Sequence, residues 1–229
     1  MKREHVKAVF FDLDHTLWDF ERNSALAFQT VFSTYNINVL LDDFLKVYIP
    51  VNLRYWKLFR DEKITRQQLR YGRFRETFDT LKYNISDEVI GLVGQEYVDR
   101  LPDYNHLYDG ALEILDYLKP RYSLHIITNG FKEIQASKIK NANIAHYFTT
   151  VTNSDIAGCK KPNPLIYEFA LKAANADKST SIMIGDCIEA DVQGALDFGL
   201  DAIYFNEARN TVPGHISQVY HLTELKNFL

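Results

Sequence analysis

The chain has few cysteines, no long apolar run and no block of basic residues, and each shortage excludes a class of protein. Its 229 residues include two cysteines, Cys159 and Cys187, too few for the disulfide framework of a small secreted domain. No stretch approaches the roughly 18 apolar residues that span a bilayer. The 26 basic residues are dispersed in a chain of net charge −4. We therefore expect neither a nucleic acid polymer nor a membrane as partner.

The composition and the N-terminal segment predict a globular protein of the cytoplasm. Hydrophobic residues make up 46% of the chain and charged residues 24%, which is ordinary for a folded domain. Asp12 and Asp14 interrupt the apolar stretch near the N-terminus before the core of an export signal could form. The length favours one core domain that carries a sizeable insertion.

Short apolar runs alternate with helical patterns outside the middle of the chain. The runs are β-branched or aromatic and nearly continuous, which is typical of strands buried on both faces of a parallel sheet. This alternation predicts an α/β fold with a doubly wound parallel sheet. The predicted strands are 6–11, 124–127, 148–151, 181–184 and 202–205, and the predicted helices are 111–118, 132–142, 164–174 and 190–198.

The middle of the chain, residues 20–104, lacks strand patterns and predicts a helical bundle inserted after the first strand. Thr65 and Gln68 form a capping box, and Ser86 is placed to cap a further helix. Pro50 is expected to kink or split one helix. The predicted domains are a core of residues 1–19 and 105–229 and a helical insertion of residues 20–104. The predicted helices of the insertion are 24–35, 44–58, 66–81 and 87–97.

Polar side chains follow four of the predicted strands. In an open parallel sheet, ligands bind beyond the carboxyl ends of the strands, so these four segments are the candidates for a site. Each segment alone is also compatible with an ordinary turn or helix cap. Their combination in this order indicates a function. The segments are DLDHT at 12–16, TNG at 128–130, GCKKPNP at 158–164 and GDCIEAD at 185–191.

Three of these carboxylates, on Asp12, Asp14 and Asp186, would repel one another at one edge of the sheet unless a cation lay among them. Magnesium fits this need because it prefers oxygen ligands and keeps coordination positions for water and a substrate phosphate. Hydroxyl, amide and ammonium groups nearby would then bind the phosphate oxygens. These predicted phosphate-binding groups are Thr128, the backbone amides near Asn129 and Gly130, and Lys161.

The ordered motifs DLDHT, TNG, KKPNP and GDCIEAD resemble those of the haloacid dehalogenase-like hydrolase superfamily. The match spans the whole chain, and the helical insertion falls where that family has its small helical cap domain. The resemblance implies a Rossmann-like core and a mobile cap. It also implies phosphoryl transfer through an aspartyl-phosphate intermediate with bound Mg²⁺.

The resemblance also implies roles for individual residues. Asp12 would be the nucleophile, and Asp14 would protonate the leaving oxygen and later deprotonate the attacking water. The metal would be held by carboxylates of Asp12 and Asp186 and by the backbone carbonyl of Asp14. Behind these ligands would lie Thr16 and Asp191; Asp191 would orient metal-bound water or Lys161, with a helix N-cap as the alternative. Lys161 is preferred over Lys160 because the family's lysine directly precedes the proline.

Three segments resemble the bacterial pyrimidine 5′-nucleotidase branch of the superfamily: WDF at 18–20, VNLRYWKLF at 51–59 and LRYGRFRETF at 69–78. This resemblance implies a nucleoside monophosphate as substrate. Phe20 or Trp56 could stack on the base, and Asn52 or Arg73 could bond to the base edge or the ribose. Most of the 14 tyrosines and 15 phenylalanines are expected to be core residues.

Alternative functions of the same superfamily stay open at this point. A sugar-phosphate phosphatase, or a phosphomutase such as the β-phosphoglucomutase branch, would share every core motif. A haloacid dehalogenase would lack the second carboxylate, so Asp14 argues against it. A non-enzymatic phosphorylation-dependent receiver would not need an insertion of about 85 residues to cover its site. No segment predicts a protein partner or an oligomeric state.

Overall fold

The structure, a computed structural model, describes residues 3–229, and these residues divide into two compact units. The first unit contains the described residues up to Phe20 together with Asn105–Leu229. The second unit is Glu21–Tyr104. Phe20, which the sequence assigns to the insertion, therefore belongs to the first unit.

The first unit is built on a parallel sheet, and the predicted α/β fold is confirmed. The sheet has six strands in the order β3-β2-β1-β4-β5-β6. In its register, Phe11 at the end of β1 lies beside Ile126 of β2 and Ile184 of β4. The carboxyl ends of β2, β1 and β4 therefore lie side by side at one edge of the sheet. At β1 the order in which the chain adds strands to the sheet changes direction. The strands are β1 (Ala8–Phe11), β2 (Ser123–Thr128), β3 (Thr150–Asn153), β4 (Ser181–Gly185), β5 (Asp201–Phe205) and β6 (Gln218–Val219).

Burial on both faces explains why the strand sequences are continuously apolar. All four residues of β1 and all five residues of β4 are buried. Phe10 and Phe11, on opposite faces of the sheet, are both fully buried, and each contributes about 1.5–3 kcal/mol to folding. Strand β6 escapes sequence prediction because it is only two residues long.

The second unit is helical, as the sequence predicts. Both halves of the capping box form, since Gln68 N donates to Thr65 Oγ1 at 3.2 Å and Thr65 N donates to Gln68 Oε1 at 2.8 Å. Ser86 Oγ accepts from Val89 N at 3.3 Å, as predicted. The helices are α1 (Phe20–Thr34), α2 (Leu41–Arg60), α3 (Arg66–Thr80) and α4 (Asp87–Arg100).

Pro50 does not split α2, so of the two predicted alternatives the split is wrong and the kink stays a prediction. The helix runs for 20 residues with Pro50 inside it. A proline removes one backbone donor from a helix, but the remaining bonds and the packing of α2 against α3 outweigh that loss.

Aromatic rings fill the interior of the helical unit. The Phe28 ring stacks on the Tyr97 ring with centroids 4.2 Å apart, and it meets the Tyr48 ring edge-on at 4.7 Å. Such pairs add about 0.5–1.5 kcal/mol each to the burial of their surfaces. Half of the aromatic residues of the helical unit are thus core residues. The buried cluster comprises Phe28, Phe32, Phe44, Tyr48, Phe74, Phe78 and Tyr97.

Helices of the first unit largely follow the predicted bounds. Pro164 lies in the first turn of its helix, after Asn163, whose Oδ1 accepts from Leu165 N at 3.0 Å. Gly199 ends the last helix with a φ of 92°, a conformation that glycine adopts without strain. The predicted helix 190–198 forms as a π-helical segment, Ile188–Gln193, followed by an α-helix. The α-helices are α5 (Ala111–Leu118), α6 (Lys132–Asn141), α7 (Ser154–Ala157), α8 (Pro164–Ala174) and α9 (Gly194–Phe198).

Candidate active site

The end of β1 positions Asp12 at the centre of the sheet. Asp12 N donates to Ile184 O at 2.8 Å, which extends the pairing of β1 with β4 by one residue. The chain then turns through His15, whose φ of 64° lies in the left-handed region. Leu17 N and Trp18 N both donate to Leu13 O. This turn directs the carboxylates of Asp12 and Asp14 to different partners.

Lys161 is the buried cation of the site. Its Nζ donates to Asp12 Oδ1 at 2.7 Å, to Asp191 Oδ1 at 2.6 Å and to Ile127 O at 2.6 Å. An ammonium has three donors, so all three are engaged. Burial by itself lowers the pKa of Lys161, but the two carboxylates outweigh it and raise that pKa well above its ordinary value. The predicted contact of Lys161 with a phosphate stays a prediction.

The Asn129 side chain holds the backbone of Lys161. Lys161 N donates to Asn129 Oδ1 at 2.7 Å, and Asn129 Nδ2 donates to Lys161 O at 3.0 Å. The end of β2 is thereby tied to the loop that carries the lysine. Asn129 thus positions Lys161 through its side chain; its role as a phosphate-binding amide stays a prediction.

The π-helical segment after β4 brings Asp191 to the site. Asp191 Oδ2 accepts from Cys187 N at 3.0 Å while its other oxygen accepts from Lys161. Gly185 makes this approach possible, because a Cβ at that position would overlap the Asp191 carboxylate. Cys187, not Asp191, caps the segment, with its Sγ accepting from Ala190 N at 3.5 Å. Thr16 Oγ1 donates to Asp186 Oδ1 at 3.2 Å, which orients the remaining carboxylate.

Three carboxylates form an acidic cluster with the chemistry of a divalent metal site. One oxygen each of Asp12, Asp186 and Asp191 lies within 4.8 Å of the other two. Burial raises the pKa of Asp12 well above its usual range, although Lys161 opposes the change. Burial and the neighbouring Asp191 raise the pKa of Asp186 to about 8. The single Lys161 charge does not balance these groups, so a hard cation fits the donor set.

Asp14, predicted to share the metal with Asp12 and Asp186, directs its carboxylate elsewhere. Its Oδ1 accepts from Lys138 Nζ at 2.6 Å, and its Oδ2 accepts from Gln135 Nε2 at 2.9 Å. The side chain that joins Asp12 and Asp186 in the acidic cluster is that of Asp191. A metal contact through the Asp14 backbone carbonyl stays a prediction.

Thr128 and Gly130 form a small network at the end of β2. Thr128 Oγ1 accepts from Gly130 N at 3.1 Å and from Gln135 Nε2 at 2.8 Å. A hydroxyl oxygen that accepts two hydrogen bonds keeps its own proton for donation, which suits the predicted role of Thr128. The Gly130 amide donates to Thr128, and its predicted contact with a phosphate stays a prediction.

Gln135 and Lys138 are the site residues that sequence reasoning misses. Both lie on α6 and are buried to 1% and 2% exposure. A polar pair at spacing i, i+3 on the helix directly after the TNG motif is the signal that could have found them.

The predicted substrate-binding residues lie in different places. Asn52 and Arg73 are buried in the helical unit and contact each other, with Arg73 Nη1 donating to Asn52 Oδ1 at 2.8 Å. Trp56 is half-buried and packs against Phe59. Phe20 is buried in the first unit, with its ring centroid 4.7 Å from that of His15. Their contacts with a substrate stay predictions.

Comparison with known proteins identifies the family. A model of the haloacid dehalogenase-like hydrolase family matches residues 6–199. The pyrimidine 5′-nucleotidase YjjG of Escherichia coli (strain K12) is 29% identical over 95% of this chain and 93% of its own. The pyrimidine 5′-nucleotidase PynA of Streptococcus pneumoniae (strain ATCC BAA-255 / R6) is 32% identical over 87% and 84%. The magnesium-bound crystal structure of the putative HAD-hydrolase YfnB from Bacillus subtilis superposes with a TM-score of 0.88, at 26% identity over 97% of both chains.

The fold and the acidic cluster at the strand ends define a hydrolase of α/β architecture. The chain belongs to the haloacid dehalogenase-like hydrolase family, since the family match covers most of its length. The resemblance of the four ordered motifs is thereby confirmed. Among residues 3–229, no helix combines the length and the apolar character needed to cross a membrane.

Proposed function

We propose that this protein hydrolyses phosphomonoesters, with a pyrimidine nucleoside 5′-monophosphate as the substrate. The observation that carries the proposal is the buried Asp12 carboxylate, held 2.7 Å from the Lys161 ammonium within a cluster of three carboxylates. An oxygen nucleophile, a fixed positive charge and a cation site are the parts that phosphoryl transfer requires. Two relatives named pyrimidine 5′-nucleotidases support the choice of substrate.

In the first chemical step, a carboxylate oxygen of Asp12 attacks the phosphorus atom. The bond from phosphorus to the ester oxygen breaks, and the Asp14 carboxyl gives its proton to that departing oxygen. The products are the free alcohol, a phosphorylated Asp12 and an ionised Asp14. Lys161 and the Thr128 hydroxyl stabilise the negative charge of the phosphoryl group.

In the second step, water attacks the phosphorus atom of phosphorylated Asp12. Asp14 takes a proton from that water while the bond between phosphorus and the Asp12 oxygen breaks. Inorganic phosphate leaves, and Asp14 again carries the proton needed for the next cycle. Two displacements replace one difficult hydrolysis, which is the general advantage of a covalent intermediate.

We propose Mg²⁺ as the cofactor, held by the carboxylates of Asp12 and Asp186 and by the backbone carbonyl of Asp14. When bound, the ion supplies positive charge that offsets the carboxylates and the phosphate. Asp191 orients Lys161, and Thr16 orients Asp186 through the hydrogen bonds described above. The bound magnesium in the B. subtilis relative supports this assignment.

We further propose that the helical unit, Glu21–Tyr104, is a cap that selects the group attached to the phosphate. The first unit supplies the groups for phosphoryl transfer, so the choice between a nucleoside and a sugar falls chiefly to the helical unit. Asn52, Trp56 and Arg73 are the proposed selecting residues of the helical unit, and Phe20 of the first unit is the proposed stacking residue.

The proposal is tested with metal-free protein assayed on p-nitrophenyl phosphate, dUMP, dTMP, UMP and hexose phosphates. We expect no turnover without metal, recovery with Mg²⁺, and higher kcat/KM for the pyrimidine nucleotides than for the sugars. Absence of turnover with Mg²⁺ and with other divalent ions would overturn the enzymatic proposal. Equal or higher rates on hexose phosphates would instead favour the sugar-phosphate alternative.

Two substitutions test the assigned chemistry in the same assay. Asp12→Asn removes the nucleophile and should lower kcat by at least about 10⁴-fold. Asp14→Asn removes the proton donor and acceptor and should lower it by about 10²–10⁴-fold. A near-normal rate in either variant contradicts the role given to that residue, provided its thermal unfolding matches wild type.

A further inference from the structure

Two buried polar residues of α6 donate hydrogen bonds to the two oxygens of the Asp14 carboxylate. Lys138 Nζ lies 2.6 Å from Asp14 Oδ1, and Gln135 Nε2 lies 2.9 Å from Asp14 Oδ2. The Asp14 side chain is 21% exposed, whereas that of Lys138 is only 2% exposed. Because each oxygen accepts a hydrogen bond, the orientation of the Asp14 carboxylate plane is fixed.

The surroundings of Lys138 restrict where its ammonium can go. It lies 4.1 Å from the centroid of the Trp18 ring and 5.2 Å from that of Phe20. Trp18 is fully buried, so this side of the lysine has little access to water. Removing a charge from water is costly unless the charge is paired, and contacts with aromatic faces recover only part of that cost. The ion pair with Asp14 therefore helps to keep Lys138 in place.

Gln135 links Asp14 to the end of the neighbouring strand. Its Nε2 donates both to Asp14 Oδ2 and to Thr128 Oγ1, at 2.9 and 2.8 Å. Gly130 leaves the space for this side chain, because a Cβ at position 130 would overlap the Gln135 amide. One amide nitrogen thus sets the distance between a group proposed to move protons and a hydroxyl proposed to bind phosphate.

We propose that Gln135 and Lys138 are positioning residues that hold the Asp14 carboxyl in the orientation from which it serves the departing oxygen. The inference rests on the proposed function. It predicts a specific kinetic defect, since a misplaced Asp14 matters only where the leaving group needs a proton. A nitrophenolate departs readily without protonation, whereas the alkoxide of a nucleoside does not.

The test compares kcat/KM for dUMP with kcat/KM for p-nitrophenyl phosphate, because this constant reports the steps up to release of the alcohol. Lys138→Met keeps the apolar stem without the ammonium, and Gln135→Met keeps the side-chain length without the donor. We expect each to lower kcat/KM for dUMP by about 10²-fold and that for p-nitrophenyl phosphate by less than about tenfold. Lys140→Met, an exposed lysine of the same helix, is the matched control and should leave both constants unchanged.

The same substitutions in the Asp14→Asn background sharpen the test. If Lys138 and Gln135 act through Asp14, they should change the residual rate by less than about threefold once Asp14 is replaced. Circular dichroism and thermal unfolding check each variant, and Gln135→Met decides the question if Lys138→Met does not fold.

The outcomes separate this inference from the function beneath it. An inactive wild type overturns the proposed function and the inference together. An active wild type whose variants lose equal activity on both substrates, or lose none, overturns only the inference. A dUMP-selective loss that disappears in the Asp14→Asn background supports both.

Discussion

Both units bury cations, and Lys161 and Arg73 are stabilised in different ways. Lys161 of the first unit and Arg73 of the helical unit are exposed by only 2% and 4%. Lys161 donates to two carboxylates and a carbonyl. Arg73 instead donates to the amide oxygen of Asn52 and lies 5.2–5.9 Å from three aromatic ring centroids, those of Tyr48, Phe74 and Tyr97.

We infer from this difference that Lys161 chiefly serves the chemistry, whereas Arg73, besides its proposed role in substrate selection, stabilises the packing of the helical unit. Around Lys161, carboxylates outnumber cations, so the cluster retains negative charge that a metal and a phosphate can exploit. Around Arg73, a neutral amide and the negative faces of rings stabilise the guanidinium without carboxylates in those contacts. We therefore expect loss of Lys161 to affect turnover first, and loss of Arg73 to affect stability first.

Of the substitutions that compare the two buried cations, Lys161→Met should have the largest effect. It removes the ammonium between Asp12 and Asp191 and leaves both buried carboxylates without that partner. Breaking a buried pair from one side costs about 3–5 kcal/mol in unfolding free energy. Loss of a preorganised charge at the phosphate should lower kcat by about 10²–10³-fold. Urea unfolding and steady-state assays measure the two quantities.

Lys160→Met is the matched control for that substitution. Lys160 is the neighbouring, half-buried lysine of the same loop. We expect its replacement to change kcat by less than about threefold, because exposed charges contribute little. Equal losses of kcat in Lys160→Met and Lys161→Met would mean that the effect comes from a disturbed loop and not from the Lys161 charge.

Substitution of alanine for a glycine should have different effects in the two units: lower activity in the first unit and higher stability in the helical unit. A Cβ at Gly185 overlaps the Asp191 carboxylate, so Gly185→Ala should displace Asp191 from Lys161 and lower kcat by about 10²-fold. A Cβ at Gly91 meets no atom within 4 Å on the exposed face of α4, so Gly91→Ala should stabilise the protein by about 0.5–1 kcal/mol. Activity retained in Gly185→Ala would show that Asp191 is not needed in its observed place.

Much of the first unit could be predicted because parallel strands are buried on both faces. Such strands are continuously apolar, and the residues that follow them are confined to one edge of the sheet. The bounds of α5 and α8 agree with the predicted helices, since Pro and cap residues mark their ends. Pro50 could not show whether the helix would split, because a proline signal is local, whereas the packing that holds α2 together is not.

The site was harder to predict than the fold, because contacts between distant segments decide it. The motifs locate Asp12, Lys161 and Asp186, but a sequence does not show which carboxylate turns toward which neighbour. Lys138 and Gln135 lack a motif, and polar residues on a helix are ordinarily read as solvent-facing. Their burial depends on Asp14, which lies 124 and 121 residues away.

A double-mutant cycle between Asn52 and Arg73 tests how the buried cation of the helical unit is stabilised. Arg73→Met removes the shorter of two hydrogen bonds to the Asn52 oxygen and leaves the one from Tyr48 Oη at 3.4 Å. Asn52→Leu leaves the guanidinium without its amide. Each single substitution should lower the unfolding free energy by about 1–3 kcal/mol. The double variant should lose less than the sum by about 1 kcal/mol, because the broken hydrogen bond is counted twice. Strict additivity in urea unfolding would mean that the two groups do not stabilise each other.

The smallest expected effect concerns His125, a buried titratable residue that the proposed mechanism does not use. Its Nδ1 lies 2.8 Å from Thr150 Oγ1, and its ring stacks on that of Phe10 with centroids 4.8 Å apart. Burial, reinforced by the charge of Lys119, lowers the pKa of His125 to about 4. Between that value and its ordinary pKa near 6.5, the unfolded chain binds a proton that the folded chain does not.

Stability should therefore be fully present above about pH 6.5 and decline as the pH falls toward 4. We expect the contribution of His125 to fall by about 1–2 kcal/mol between pH 7.5 and pH 5, measured by urea unfolding. His125→Phe should remove this part of the pH dependence, even though it also loses the contact with Thr150. The exposed His146, replaced by Gln, should leave the slope unchanged. An unchanged slope in His125→Phe would mean that the acid sensitivity arises elsewhere, with the buried carboxylates around Lys161 as the remaining source.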